Sequence, residues 1–273
     1  MLRNAIFIPA GSDGHRFALV CEPVGEPRGV LVYVHPFAEE MNKSRRMASL
    51  AARAFAEGGW AVLQLDLAGC GDSSDGFESA TWNRWVEDVS LAVAWCRERF
   101  SGPLCLWGLR GGCLLIAEWL GISREHHPLL LWQPVLNGKH HLTQFLRLKA
   151  ASEMLSETDS QNVMRDLRSR LAAGLEVEVG GYALSPGLTR GLTGATLDLT
   201  VGYSAKVAVL EVSSSESGSL SPATGAAATK WAASGTTIVT EVVQGPAFWS
   251  TQDIETVPAL IDASRRVLAG IAA

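Results

Sequence analysis

The sequence predicts an α/β protein: a mostly parallel sheet of about eight strands with helices on both faces and a helical insertion late in the chain. Short apolar, β-branched runs alternate with helical periodicity for most of the 273 residues. Runs such as Val30–Val34 and Leu129–Trp132 are apolar throughout, as strands buried on both faces are. The strand–helix alternation recurs, which is the pattern of a parallel sheet joined by crossover helices.

The elements follow in order. Ala5–Pro9 and Arg16–Glu22 flank Gly11, Ser12, Asp13 and Gly14 and read as an antiparallel hairpin. Val30–Val34 is the third strand. A helix follows it, with Asn42 as N-cap, Met47, Leu50, Ala51, Ala54 and Phe55 on one face, and Gly58-Gly59 as its stop. Trp60–Leu65 is the fourth strand. Trp82, Trp85, Val86, Val89, Val93 and Cys96 form a second amphipathic stripe, whose tryptophans suit helix-to-sheet packing. Leu104–Trp107 is a strand, Gly112–Leu120 a helix ended by Gly121, and Leu129–Trp132 a strand again. Residues 137–200 are mostly helical and polar, with His140, His141, Arg147 and Lys149 early and an extended stretch over Glu176–Tyr182. Their place between two core strands predicts a lid inserted into a single domain that spans 1–273. Val207–Val212 and Ile238–Val243 are the last strands, with a helix over Ala223–Ala233 between them and Ser213–Ser221 as an ordered loop. A terminal helix starts near Pro258, a residue suited to a first turn.

Composition narrows the function classes. With 47% hydrophobic residues and a net charge of -5, the chain does not have the composition of a disordered segment. The acidic balance gives no support for nucleic-acid binding, which wants a basic field. No apolar run approaches the ~20 residues of a membrane span, and the N-terminal apolar stretch is short for a signal peptide. Cys21, Cys70, Cys96, Cys105 and Cys113 are odd in number and show no C-x-x-C spacing. The expectation is a cytoplasmic protein with reduced thiols, no metal site and no cofactor.

In such sheets ligands sit at the carboxyl ends of the strands. The third strand ends in His35-Pro36-Phe37, and the fourth runs into Asp66-Leu67-Ala68-Gly69-Cys70-Gly71-Asp72-Ser73. The fifth ends Trp107-Gly108-Leu109-Arg110-Gly111-Gly112 and passes straight into a helix. Strand, G-x-x-x-G, helix is the geometry of a nucleophile elbow.

Here the chain resembles the α/β-hydrolases over essentially its full length. More narrowly, H-P-F-A-E-E-M-N-K-S-R-R-M (His35–Met47), D-L-A-G-C-G-D-S (Asp66–Ser73), W-G-L-R-G-G (Trp107–Gly112) and G-P-A-F-W-S-T-Q-D-I-E (Gly245–Glu255) resemble the hydrolase-like proteins associated with exosortase A systems. Of the two types, the chain is more similar to the second, whose elbow carries Arg. The resemblance implies a bacterial locus for exopolysaccharide production and PEP-CTERM protein sorting. It transfers no reaction.

The departures from ordinary α/β-hydrolases are larger than the match. The triad order is Ser, then Asp or Glu, then His. The nucleophile position holds Arg110, whose guanidinium stays protonated. After Val207–Val212 the acid candidate is Glu216. The loop Gly245-Pro246-Ala247-Phe248-Trp249 puts Phe248 where the His belongs, and no His follows His141. A Ser-His-Asp mechanism therefore cannot operate, and restoring one needs at least Arg110→Ser together with Phe248→His. The replacement candidates are Cys113 on the elbow helix, paired with His35, and Ser73 in the Asp66 turn; each also has a plain structural role open to it.

Arg110 stands at a helix N-terminus, a position that favours anions. Two arrangements make its charge acceptable. Glu39 or Glu40 on the neighbouring loop clamps it. Alternatively, Arg110 joins the old oxyanion donors, the amides of Gly111 and Phe37, to bind a substrate carboxylate or phosphate. Trp249 and the lid would complete the pocket. The expected partners are a small-molecule, acyl or glycan-related ligand, or a neighbouring protein.

Overall fold

The computed structural model describes residues 1–154, 160–199, 201–215 and 218–271. Strands β1 (Leu2–Pro9) and β2 (His15–Glu22) form the hairpin, antiparallel with Phe7 opposite Phe17. Next come β3 (Val30–Val34), β4 (Ala61–Leu65), β5 (Leu104–Leu109) and β6 (Leu129–Trp132). The sheet order is β1-β2-β4-β3-β5-β6-β9-β10, with β9 at Val207–Ser213 and β10 at Ile238–Gln244. β2 runs antiparallel to β4, and every pair from β4 onward is parallel. A small antiparallel pair, β7 (Val177–Val179) and β8 (Tyr182–Leu184), turns through Gly180 and Gly181, both at positive φ. Two successive left-handed residues suit a tight hairpin turn, and glycine carries no Cβ penalty there.

Helices α1 (Glu39–Glu57) and α8 (Pro258–Ala269) cover one face of the sheet. Helices α2 (Trp82–Arg99), α3 (Gly112–Ser123) and α7 (Pro222–Ala233) cover the other. Residues 137–200 lie between β6 and β9 and hold α4 (Gly138–Met154), α5 (Ser160–Ala172), the β7–β8 pair and α6 (Pro186–Gly194). A bridge between Asn137 and Thr196 ties the two ends of this insertion together. This is the α/β-hydrolase architecture.

Three local expectations are corrected. Asn42 does not cap α1, which starts three residues earlier; its Nδ2 donates instead to Tyr182 Oη (2.8 Å) and Glu39 Oε2 (3.2 Å). Helix α3 runs through Gly121 to Ser123 and ends on Arg124 in the left-handed region. The exposed face around Gly121 exerts no steric demand, so the glycine weakens the helix without stopping it. Strand β5 continues to Leu109, up to the elbow itself.

A buried ion pair fixes the hairpin to the body. Arg16 Nε donates to Asp88 Oδ1 at 2.6 Å, and Asp88 Oδ2 accepts from the Ala68 amide at 2.7 Å. Both side chains are almost fully buried. The link joins β2, α2 and the loop after β4, and so helps to set the strand ends that bear the site.

Candidate functional site

The elbow forms as its glycine spacing requires. A Cβ on Gly112 would lie 2.3 Å from the Val34 carbonyl oxygen, so only glycine lets α3 start against β3. Arg110, the residue at the apex, has φ of 53°. Ala38 and Gln133, at the ends of β3 and β6, also have positive φ. Such backbone costs of order 1–3 kcal/mol each and clusters at functional sites. Here it gathers at the carboxyl edge of three adjacent strands.

At that edge Arg110 meets Glu40 and not Glu39. Arg110 Nε and Nη2 both donate to Glu40 Oε1, at 3.1 and 3.0 Å. The side chains are 18% and 19% exposed. Arg110 Cζ sits 5.3 Å from the centroid of the Trp249 ring, within cation–π range. Burial pushes the Glu40 carboxyl upward, and Arg110 opposes that shift. The pair opens on a cavity of ≈ 290 Å³.

Phe37, Glu39, Glu40, Arg110 and Trp249, all singled out from sequence, line this one cavity. Gly111 does not. It lies under the His141 ring, whose Nε2 is 3.4 Å from where a Gly111 Cβ would be. Among the described residues, the amides of Phe37 and Gly111 donate no hydrogen bond. The remaining wall comes from Lys43, Gln144, Phe145, Ser250 and His141. The wall thus carries two cations, Arg110 and Lys43, and two carboxylates, Glu39 and Glu40.

His141 is the residue the motif reading missed. It is 5% exposed, and neither ring nitrogen has a partner among the described residues. Its Nε2 is 3.8 Å from Glu40 Oε2, which is also buried and unpaired. Burial, aided by the Arg110 charge, pushes its pKa down to about 3, so the ring is neutral at pH 7. The signal was present in α4: His141 shares the helical face of Leu142, Phe145 and Leu146, all buried. A His on an apolar stripe points inward.

The replacement nucleophiles are all engaged elsewhere. His35 Nε2 accepts from the Leu67 amide (3.2 Å) and its Nδ1 donates to the Pro36 carbonyl (2.8 Å), so the ring ties the ends of β3 and β4 together. Ser73 Oγ donates to the Asp66 carbonyl (2.5 Å) and accepts from the Phe17 amide (2.9 Å), which shapes the turn. Cys113 is fully buried, its thiol pKa is raised by that burial, and it does not line the cavity. Phe248 is fully buried in the core that α1 and α8 also line, with ring centroids 6.3 Å from Trp132 and 5.1 Å from Trp249. Glu216 lies outside the described residues. No group of three or more His, Cys, Asp or Glu among the described residues forms a metal site.

Known proteins place this geometry in context. No curated protein matches the sequence. Among solved structures, Est1E from Butyrivibrio proteoclasticus with ferulic acid bound is 16% identical, with 98% of this chain and 99% of that one covered and a TM-score of 0.66. A carboxyl esterase from Bacillus coagulans in complex with glycerol is 14% identical over 100% of both chains, with a TM-score of 0.61. XC6422 from Xanthomonas campestris, an α/β serine hydrolase without a lid, is 15% identical, covers 99% and 96%, and has a TM-score of 0.55. At these identities the likeness concerns the fold alone. The serine aminopeptidase S33 family model matches residues 25–189, from before β3 to within α6. The match takes in the elbow and more than half of the sequence, and by it the chain belongs to the serine aminopeptidase S33 family.

Proposed function

We propose that this protein is a catalytically degenerate member of its hydrolase family that binds an anionic or acylated ligand, or a partner, in a bacterial exosortase and exopolysaccharide system. The observation that carries the reading is Arg110 at the elbow apex, held by Glu40 and faced by Trp249, with Phe248 buried in the core. No nucleophile stands at the apex and no imidazole stands at the triad position. The binding half of the machinery is still in place: a cavity, an aromatic wall and a free amide on Phe37.

Charge balance sharpens the ligand class. Glu40 already neutralises Arg110, so a free carboxylate entering the cavity would meet a like charge at close range. An uncharged acyl group suits the site better: its carbonyl can accept from Phe37 N–H or from Arg110, whose Nη1 has no acceptor among the described residues. Residues 137–200 act as the lid in this reading, since α4 supplies His141, Gln144 and Phe145 to the wall. The exosortase setting rests on the resemblance of His35–Met47, Asp66–Ser73, Trp107–Gly112 and Gly245–Glu255, and the cytoplasmic setting on cysteines odd in number and without C-x-x-C spacing. A relocated nucleophile finds no support, since Cys113 is packed in the core and His35 and Ser73 are held in hydrogen bonds that fix the strand ends and the Asp66 turn.

Calorimetric titration with methyl hexanoate, hexanamide and hexanoate tests the binding. The neutral probes should bind and be recovered intact, Trp249→Ala should weaken them, and Glu40→Gln should shift the preference toward hexanoate by freeing the Arg110 charge. Absence of binding by all three would refute the reading. In the cell, deletion of the gene should lower exopolysaccharide output, and restoration by the wild-type copy should recover it.

A further inference from the structure

A second cavity, also ≈ 290 Å³, lies on the other side of the first turns of α1. It shares no lining residue with the Arg110 cavity. Helix α1 covers β3 and β4, but the same face of the hairpin extends past it, and a groove opens between them. Phe17 and Leu19 of β2 form an apolar floor. Tyr33 of β3 and Gln64 of β4 rise from the adjoining strands.

Three features of this groove are unspent in the fold. Tyr33 is 5% exposed and packs on Trp107 at 4.3 Å, yet its hydroxyl has no partner among the described residues. Tyr33 lines the groove, so the unpaired hydroxyl is left for a bound group. The Gln64 Oε1 is buried and unpaired. Three guanidiniums, Arg3, Arg45 and Arg46, face a single carboxylate, Asp66. Arg45 and the Asp72 amide both bind Asp66 at 3.2 Å, so that carboxylate is already engaged. Arg3 and Arg46 make no ion pair among the described residues. A concave wall with an uncompensated positive charge concentrates anions.

We propose that this groove is a separate binding site for a small organic anion. Its phosphate or carboxylate head is held by Arg3, Arg45, Arg46 and the Tyr33 hydroxyl, and its apolar body lies on Phe17 and Leu19. Guanidinium groups match either head in forked geometry. The floor selects against inorganic ions, which have nothing to bury there.

The test is calorimetric titration of the full chain with phenyl phosphate, phenylacetate and the neutral phenylacetamide. At least one anion should bind with one-to-one stoichiometry, at least tenfold tighter than phenylacetamide, and the preferred anion assigns the head group. Tyr33→Phe, which keeps the ring, should weaken the anion about five- to tenfold. The double variant Arg3→Ala, Arg46→Ala should weaken it more than tenfold and flatten its salt dependence, with Arg46→Gln as the milder variant if circular dichroism shows the double to be misfolded. Arg110→Ala should leave this binding unchanged, which separates it from the cavity above the elbow. Three results would each overturn the proposal: no anion binding, affinity equal to that of phenylacetamide, or binding that ignores Tyr33→Phe and the arginine variants but disappears in Arg110→Ala.

Discussion

Consider removal of the charge at the elbow by Arg110→Met, of its partner by Glu40→Gln, and of both. Each single variant leaves one charge without its counter-ion. Breaking a fully buried pair by removing one partner costs about 3–5 kcal/mol, whereas an exposed pair contributes roughly 0–1 kcal/mol. The 18% and 19% exposure of these side chains, and the two contacts at 3.0 and 3.1 Å onto a single oxygen, place this pair between those limits. The expected coupling is therefore about 1–3 kcal/mol. Methionine keeps the length of the arginine stem, and glutamine keeps the shape of the carboxylate. Glycine at 110 is avoided, because it would also relieve the left-handed backbone at φ 53°. The assay is urea unfolding at pH 7 of the wild type and the three variants, with the slopes compared to confirm an unchanged unfolding transition. The double variant should lose clearly less stability than the sum of the two singles. Additivity within about 0.5 kcal/mol would show that the two charges do not support one another, and the account of the elbow would fail.

Other outcomes follow from the same structure. His141, held near pKa 3 by burial and the Arg110 charge, binds fewer protons when folded than when unfolded between pH 3 and 6.5. Stability therefore falls as pH drops through that window, by about 2 kcal/mol at pH 5, and His141→Phe should remove this component when pH-dependent urea unfolding of the two proteins is subtracted. Asp88 is pushed up to about 6, mainly by burial, and so its own contribution declines as pH rises from about 4 to 6; the subtraction cancels it. Arg16→Met should cost about 3–5 kcal/mol at pH 8 by stranding Asp88, and less at pH 5, where the carboxyl can take a proton; equal losses at both pH values would contradict a charge on Asp88. Phe248→His should cost about 1–3 kcal/mol in thermal or urea unfolding, because the imidazole enters an apolar core between Trp132 and Trp249. For the same reason Arg110→Ser with Phe248→His should still give background ester hydrolysis, so exchange at the two motif positions does not by itself rebuild a triad.

Much of this was legible locally. The parallel strands announce themselves because β-branched runs buried on both faces leave no polar alternation, as in Val30–Val34. The elbow is legible because Gly108 and Gly112 are demanded by close contacts within and beside one strand–helix unit. What local spacing does not carry is the direction in which a side chain points after the chain returns from elsewhere. The loop after β10 is where the sequence reading expects a His, yet the Phe248 ring there packs into the core against Trp132 and Trp249. His141 reaches the site only because the insertion folds back, although its place on the apolar stripe of α4 hinted at it. Asn42 has the chemistry of a cap, but α1 starts three residues before it, so Asn42 lies inside the helix and its Nδ2 donates to Tyr182, distant in sequence. Glu39 and Glu40 are equivalent on paper; the start of α1 turns Glu40 toward Arg110 and Glu39 toward Tyr182 Oη, which donates to it at 3.0 Å.

The claim that the elbow has lost its chemistry is tested most directly on the unaltered protein. The wild type is incubated with a fluorophosphonate and, separately, with iodoacetamide under native conditions. Intact-mass spectrometry then reads the adducts, alongside steady-state turnover of p-nitrophenyl acetate. The account predicts an unchanged mass with the fluorophosphonate, no rapid stoichiometric alkylation of the buried cysteines, and ester hydrolysis at the rate of buffer. A one-to-one adduct on Ser73 or Cys113, with turnover abolished by Ser73→Ala or Cys113→Ala, would contradict it.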